Sequence, residues 1–277
     1  MPALEEALFT HRGRCLRLLK DYGLIPYLVS KETAPVQVSM RLGSAQAGQL
    51  FRDGDRLEFS RLYRRYDACI AAVAAKKKRP ELVALTAKVG SVNRQDSMSL
   101  KDLSDLTKFK LIRGKMRPIQ HLVDSNNPAK VESVTEKAFG LLRSGKWESG
   151  LCLLANELHG VGIATSSYIG AAVRPDICAS MSDEVLEACG LGRDYDLATY
   201  CVLRSKLSQK ADALNHNAQP GDERWDLERV GKALWACATC HALNVAPDTS
   251  PKVNEEEEEE EVEEVKPHRQ KKRQRKH

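Results

Sequence analysis

The sequence predicts an all-α fold, and three observations agree on it. Apolar residues recur at helical spacing along most of the chain, no segment alternates apolar and polar residues as a half-buried strand would, and the links between periodic segments are short. In Pro128–Arg143, for example, Val131, Val134, Ala138 and Leu142 fall on one face. A helical array of this kind buries its apolar faces against neighbouring helices.

Each helix is predicted from its periodicity and from the residues at its ends. Ser99 is suited to cap the start of a short helix that runs through Leu106. Gly145 stands where a glycine commonly terminates a helix, and Pro80 ends the first long one. The predicted helices cover Leu57–Lys77, Ser99–Leu106, Pro128–Arg143, Trp147–Glu157, Ala164–Val173, Asp183–Ala188, Asp194–Leu214 and Glu223–Leu243.

The chain is predicted to have three parts. Residues 1–50 contain one plausible helix, Leu4–Leu19, and are otherwise unassigned. Residues 51–247 carry the helical periodicity and form the all-α domain. Residues 248–277 form a tail whose charge blocks cannot bury enough apolar surface to offset the entropy of ordering, so we expect this tail to be disordered.

The tail also predicts where the protein acts. Seven consecutive glutamates, Glu255–Glu261, precede the basic segment Lys266–His277. A basic cluster of this type is typical of nuclear localisation or of attraction to nucleic acid. We therefore expect a nuclear protein that contacts chromatin or repair proteins through this tail. A tail that only keeps the protein soluble is the alternative.

Charge and hydropathy narrow the class of partner. The chain carries a formal charge of +5, and because the acidic-then-basic tail is net negative, the remaining residues are more basic still. A modestly basic domain suits a polyanionic partner, although many soluble enzymes are equally basic. No apolar segment approaches the roughly 18 residues of a membrane helix, so no membrane partner is expected. Without export the cysteines should stay reduced and act as small buried hydrophobes.

The most informative segment is a glycine turn between two helices, within residues 151–173. One helix ends at Leu158, Gly160-Val161-Gly162 reverses the chain, and a second helix begins near Ile163. The two glycines permit a tight turn and a close approach of the backbone to a ligand. Val161, between them, is expected to point inward and hold the turn against the core.

The start of the second helix is predicted to bind phosphate. The first N–H groups of a helix, here those of Ile163, Ala164 and Thr165, have no partner within the helix. Together with the helix dipole they form a site for a phosphate oxygen. Such contacts are independent of base sequence, so the expected partner is the backbone of duplex DNA.

These residues resemble a known family. Leu158-x-Gly160-Val161-Gly162, followed by a helix of small residues, is similar to the hairpin of the helix-hairpin-helix DNA glycosylase superfamily. In that family a loop after the hairpin, here residues 174–190, delivers an aspartate to the active site. Asp183 stands at the family's distance from Ala164. The resemblance covers roughly residues 100–245, with sharp motif support only for 151–190, and it implies a DNA-glycosylase-like fold.

Two departures from the family limit the chemistry that the resemblance implies. Bifunctional members carry an imine-forming lysine at the position of Ala164, and alanine cannot form an imine, so no lysine-dependent lyase activity is expected. Some members hold an iron–sulfur cluster through four cysteines. Here Cys237 and Cys240 supply only the central pair, with Val230 and Ala246 at the flanking positions. We therefore expect no cluster, no metal and no other cofactor.

The resemblance assigns catalysis to Asp183. A fixed carboxylate stabilises the positive charge that develops on the sugar as an N-glycosidic bond breaks, or orients the attacking water. The base would first be flipped out of the DNA stack. The implied enzyme is a monofunctional DNA N-glycosylase of base-excision repair. Two alternatives remain: Asp183 belongs to an ordinary capped helix start with Ser182, or the protein is a catalytically inactive scaffold in a chromatin complex.

A basic segment lies upstream of the hairpin. Five cations without an intervening acid, Lys108, Lys110, Arg113, Lys115 and Arg117, stand within ten residues. They are predicted to contact DNA phosphates beside the hairpin. A solvated basic face is the common alternative for such a run.

Overall fold

The computed structural model describes residues 42–216, 218–219 and 221–245, and every regular element within these ranges is a helix. The predicted all-α fold is therefore confirmed for the described chain. A short 3₁₀ turn, Val92–Arg94, follows the fourth helix. The α-helices are α1 Leu42–Asp53, α2 Arg56–Arg64, α3 Tyr66–Lys77, α4 Glu81–Ser91, α5 Leu100–Arg113, α6 Gln120–Asp124, α7 Pro128–Arg143, α8 Trp147–Glu157, α9 Ile163–Val173, α10 Asp183–Ala188, α11 Leu197–His216 and α12 Leu227–Leu243.

Helix α12 is the centre of the packing. It is buried on nearly all sides between Leu227 and Cys240, and it contacts α1, α2, α3, α10 and α11. Its approach to α1 is very close, because a Cβ added to Gly43 would lie 2.2 Å from the carbonyl oxygen of Ala238. Helix α1 therefore belongs to the packed helices, and the domain boundary predicted after residue 50 falls inside it.

The bounds of three helices were predicted correctly from the sequence. Pro128–Arg143, Trp147–Glu157 and Asp183–Ala188 have the predicted bounds. Before the first of these, the side chain of Asn127 accepts hydrogen bonds from two first-turn N–H groups. After it, Gly145 adopts a left-handed φ of 80°.

The prediction of one helix over Leu57–Lys77 is wrong. The chain bends at Arg65, so that α2 lies along α12 whereas α3 also contacts α4 and α5. The apolar periodicity continues through the bend, because Phe59, Leu62 and Tyr66 are all buried. Periodicity alone therefore did not reveal it.

Other helix ends follow local capping. The helix that starts after Ser99 runs on to Arg113, well past the predicted end at Leu106, and begins with a reciprocal capping box between Ser99 and Asp102. Helix α12 begins later than predicted because the carboxylate of Asp226 accepts a hydrogen bond from the N–H of Arg229, at 2.7 Å. The extension of α5 places Lys108 and Lys110 on a helix rather than in a loop.

The glycine turn packs against α6. Gly160 has a φ of +75°, and a Cβ there would lie 2.8 Å from Cγ2 of Val123. The side-chain amide of Asn126 holds the same turn, since it accepts from the N–H of His159 at 2.9 Å and donates to its carbonyl at 3.0 Å. Val161 is buried, as predicted. Sequence analysis missed Asn126.

Two predicted segments lie outside the described residues: the helix Leu4–Leu19 and the charged tail 248–277. Among the helices that are described, none combines the length and the apolar composition needed to cross a membrane.

Replacement of Gly160 tests the seating of the turn. We expect Gly160→Ala to lower the free energy of unfolding by about 2–4 kcal/mol, through left-handed strain and the clash with Val123. The matched control is Gly140→Ala in α7, where an added Cβ meets no atom within 4 Å, and a gain of ~0.5–1 kcal/mol is expected there. Urea unfolding of the full chain measures both variants. Equal stability of the two variants would contradict the close packing of Gly160 against Val123.

Candidate functional site

The position of Asp183 is set by a tightly bound loop between α9 and α10. The N–H of Met181 donates to Oγ of Ser167 on α9, at 3.0 Å. The N–H and hydroxyl of Ser180 donate to the buried carboxylate of Glu228 on α12, at 2.7 and 3.0 Å. Because both neighbouring helices hold this loop, the start of α10 is fixed relative to the glycine turn and the core.

The carboxylate of Asp183 is also fixed from the other side. The hydroxyl of Tyr195 donates a hydrogen bond to Oδ1, and Nη1 of Arg193 lies 3.6 Å from Oδ2. Burial, the hydrogen bond to Asp183 and its charge raise the pKa of Tyr195 to about 12, so this hydroxyl stays protonated and remains a donor. Tyr195 was not predicted as a site residue; it falls within the predicted helix Asp194–Leu214, whereas the observed helix α11 begins only at Leu197.

A cavity of about 280 Å³ opens between Asp183 and the glycine turn. We call it the hairpin cavity. It brings together most of the residues predicted from the sequence, which come from three separate segments of the chain. Those residues are Asp183, Gly160, Gly162, Ile163, Ala164, Thr165, Lys110, Lys115 and Arg117, and Tyr168, Glu184 and Tyr195 also line it.

The start of α9 presents free donors to this cavity. Gly162 caps the helix without a side-chain hydrogen bond, and within the described chain the N–H groups of Ile163 and Ala164 have no acceptor. The N–H of Thr165 donates to the carbonyl of Gly162 at 2.8 Å, and its side chain is buried. Of the predicted phosphate-binding amides, Ile163 and Ala164 are therefore the available ones.

A second, larger cavity of about 660 Å³ lies on the other side of Asp183. We call it the large cavity. Trp235 lies in its wall, and Gly114, Lys115, Asp183 and Glu184 line both cavities. In the described part of the chain, Oε2 of Glu184 is buried without a hydrogen-bond partner. An unpaired buried acceptor lowers the stability of the fold.

The rim of the large cavity carries cations that the sequence analysis did not assign to a site. Lys76, Lys77 and Arg79, at the end of α3, line this cavity. The Nζ of Lys77 donates to the carbonyl of Ile112 at 2.6 Å and so caps the end of α5. The four consecutive basic residues at 76–79 are visible in the sequence, but they were interpreted only as the end of a helix.

Arg113 does not take the predicted role. It is only 4% exposed, and its guanidinium lies 4.4 Å from the ring of Trp235 and 5.5 Å from the rings of Tyr66 and Tyr168. One nitrogen donates to the hydroxyl of Tyr168 at 3.2 Å. A side chain committed to this interior stack is not available to DNA on the surface, which contradicts the predicted phosphate contact.

The other cations of the basic segment differ in their surroundings. Lys108 lies 3.7 Å from Glu81 and lines neither cavity, whereas Lys115 and Arg117 are exposed at the hairpin cavity. Lys110 is mostly buried, with Nζ 5.9 Å from the ring centre of Tyr168. Its burial, reinforced by Arg117 and partly offset by Asp183, lowers the pKa of Lys110 to about 8.

The cysteine pair on α12 is packed in the core. Cys237 and Cys240 are buried, and Sγ of Cys240 lies 2.9 Å from Sγ of the buried Cys69. These three thiols are thus small core residues, as the sequence interpretation holds. Across the residues that the structure describes, no group of three or more His, Cys, Asp or Glu side chains has the arrangement of a metal site.

Comparisons of the chain with protein-family models, with curated proteins and with solved structures find no match in any of the three. What the site can do is therefore inferred from its own geometry. A fixed carboxylate stands between two cavities whose rims carry lysine and arginine. This arrangement suits an anionic ligand that reaches both cavities at once.

Replacement of Arg113 and of Lys115 tests which cations of the basic segment stabilise the fold. We expect Arg113→Leu to lower the free energy of unfolding by about 3 kcal/mol, because Glu228 and Glu184 lose the buried cation near them. Lys115→Ala, at an exposed position, should stay within ~0.5 kcal/mol of the wild type. Denaturant unfolding of both variants measures this difference. An Arg113→Leu protein as stable as the wild type would show that the stack is not structural.

Proposed function

We propose that this protein binds the backbone of duplex DNA through a helix-hairpin-helix unit and hydrolyses an N-glycosidic bond with Asp183. The observation that carries the proposal is the position of Asp183, whose side chain is shared by the hairpin cavity and the large cavity. A nucleotide whose phosphate sits at the hairpin can therefore place its sugar at this carboxylate and its base beyond it.

Contacts at the hairpin cavity support backbone binding. The free N–H groups of Ile163 and Ala164 stand at the positive end of the α9 dipole, next to the exposed cations Lys115 and Arg117. None of these groups reads a base edge. The interaction is therefore expected to be independent of base sequence and strongly dependent on salt.

The large cavity supports recognition of a flipped base. Its volume of about 660 Å³ falls within the range of roughly 300–1,000 Å³ that is typical of small-molecule sites.

The chemistry follows from the fixed carboxylate. As the bond between base and sugar breaks, C1′ becomes positively charged, and an anion held in place stabilises that state without reorganising. Tyr195 and Arg193 hold both oxygens of Asp183 and so orient the carboxylate. A monofunctional DNA N-glycosylase needs this arrangement, whereas a DNA-binding scaffold needs only the hairpin.

Replacement of Gly162 tests backbone binding. A Cβ there meets no atom within 4 Å, and its φ of −100° suits any residue, so Gly162→Val should fold normally. Its isopropyl group should obstruct the N–H groups of Ile163 and Ala164 and weaken affinity for a short duplex by about tenfold. Fluorescence anisotropy at two salt concentrations measures the affinity. Ser149→Val, at the exposed far end of α8, is the matched control.

Unchanged affinity of Gly162→Val, together with normal stability, would overturn the proposed hairpin contact. A wild type that does not bind duplex DNA at low salt would overturn the proposal as a whole.

Replacement of Asp183 tests the hydrolysis. Wild-type protein should release a base from at least one member of a panel of duplexes with modified bases, and Asp183→Asn should slow that release at least ~100-fold while binding DNA as well or better. Asp194→Asn, an exposed carboxylate in the same region, should leave the rate unchanged. Released base is measured by chromatography. Binding without release of any base would leave the non-catalytic scaffold as the function.

A further inference from the structure

Two cysteine side chains meet between α3 and α12, inside the core. Cys69 lies in α3 and Cys240 near the end of α12, 171 positions apart in the chain, yet their Sγ atoms are 2.9 Å apart. The Sγ of Cys69 also lies 3.6 Å from the carbonyl oxygen of Ala236, one turn earlier on α12. The Cys69 thiol is therefore directed at α12, and the proposed function uses neither thiol.

The two sulfur atoms are close enough to be joined by a small movement. A disulfide bond is about 2.05 Å long, so the atoms need to approach each other by less than about 1 Å. Both side chains are buried, with Cys69 fully enclosed and Cys240 5% exposed. Because the atoms move toward each other, the bond would preserve the contact between α3 and α12.

The surroundings of the pair favour a thiolate at Cys240. The hydrogen bond from Cys69 and, against the effect of burial, the positive charge of Arg65 lower the pKa of Cys240 to about 7. The same hydrogen bond raises the pKa of Cys69, which stays a protonated thiol. Arg65 is anchored at this end of α12, because its Nη2 donates to the carbonyl of Val245 at 2.6 Å. A thiolate beside a thiol is a reactive combination, since the thiolate is the nucleophile.

Other buried cysteines lack this combination. Burial raises the pKa of Cys178 and of Cys189 to about 12, so both thiols stay protonated at neutral pH and are poor nucleophiles. Burial also raises the pKa of Cys237, one turn before Cys240, to about 11. Of the five buried cysteines that the structure describes, Cys240 alone has a lowered pKa.

We propose that Cys69 and Cys240 form a peroxide-reactive pair that closes into a reversible disulfide between α3 and α12. The pair is thus a modification site, and the reactant that it takes is a small hydroperoxide. This inference does not rest on the proposed DNA binding or on Asp183.

The reaction balances with one molecule of hydrogen peroxide. The Cys240 thiolate attacks one peroxide oxygen, the O–O bond breaks, and Cys240 becomes a sulfenic acid; the departing hydroxide takes up the proton that Cys240 had released and becomes water. The sulfur of Cys69 then attacks the sulfur of the sulfenic acid. The S–O bond breaks, and the hydroxide leaves with the proton of Cys69 as a second water. Two thiols are oxidised by two electrons, peroxide is reduced to two waters, and a dithiol reductant reverses the change.

A cross-link at this position would fix one wall of the large cavity. Val73 on α3 and Ala238 and Thr239 on α12 line that cavity, and each lies about one turn or less from one of the two cysteines. The disulfide would also close a loop of 171 positions, and closing a long loop removes much conformational entropy from the unfolded chain. We therefore expect oxidation to stabilise the packing of α3 on α12.

Peroxide treatment of the full chain tests the pair. Reduced protein is exposed to hydrogen peroxide, the remaining thiols are alkylated, and a non-reducing tryptic digest is analysed by mass spectrometry. Cleavage after Arg65 and Lys232 places Cys69 and Cys240 on different peptides, so their disulfide appears as a linked pair. We expect this link in folded protein. Protein treated in guanidinium should give at least ~10-fold less of it, because the eight cysteines then pair without the fold.

Single replacements separate this pair from the third thiol. Cys237→Ala should form as much link as the wild type, whereas Cys240→Ala should form at least ~10-fold less of any link to Cys69. Cys152→Ala, on α8, is the matched control, because it removes one thiol and leaves the pair intact. The link is assigned to Cys237 or Cys240 by fragmentation of the linked peptides.

Thermal unfolding tests the effect on the fold. Oxidation should raise the Tm of the wild type by about 5–10 °C, and dithiothreitol should reverse the rise. The Tm of Cys240→Ala should change by less than ~2 °C on the same treatment. Each variant is compared with its own reduced form, so the effect of the replacement itself on stability does not enter the comparison.

Three results would count against the pair. Recovery of both Cys69 and Cys240 as alkylated thiols after peroxide treatment would overturn it, and so would a disulfide between Cys237 and Cys240. Linked protein that melts no higher than reduced protein would overturn the stabilising cross-link. DNA enters none of these measurements, so their outcome is independent of whether the proposed DNA binding and hydrolysis hold.

Discussion

The packing of the Arg113 guanidinium against three aromatic rings is the interaction on which the site depends. It stacks against Tyr66 of α3, Tyr168 of α9 and Trp235 of α12, and it is itself the last residue of α5. Helices α3 and α12 line the large cavity, α9 lines the hairpin cavity, and α5 contributes residues to both. A planar cation can stack on several rings while it donates a hydrogen bond, and lysine in its place could not do both. The buried cation thus fixes how these four helices pack against one another. The cavities form where the packed helices leave space between them.

This arrangement divides the basic residues into three kinds. Arg113 is enclosed and structural, Lys115 and Arg117 are exposed and free to contact an anion, and Lys110 lies between these extremes. The same division holds for the acids, because Glu228 is hydrogen-bonded inside the core while Glu184 keeps one buried oxygen unpaired. Buried polar groups without partners lower stability, and in the described chain Oε2 of Glu184 is one of several such atoms, with Nε of Arg113 among the others.

How much the sequence could predict depended on whether the signal was local. The helix Pro128–Arg143 and the turn at Gly160 were predicted because capping residues and glycines act on their immediate neighbours. The bend at Arg65 was missed because apolar spacing continues through it and only the packing of α2 on α12 reveals it. The capped start of α10 likewise predicted its bounds but not the environment of its carboxylate.

The site itself was predictable only in part. The spacing from Ala164 to Asp183 placed both near the hairpin, and both line one cavity. Five cations within ten residues carry no local signal that separates Arg113 from Lys115, because the rings that enclose Arg113 come from distant parts of the chain. Tyr195 was missed for the same reason, since its contact with Asp183 depends on the path of the chain after α10.

Under the proposed function, two cavities that share one carboxylate give each part of a nucleotide its own environment. The hairpin cavity has amide donors and cations, which suit phosphate and sugar, while the large cavity has an aromatic wall, which suits a base.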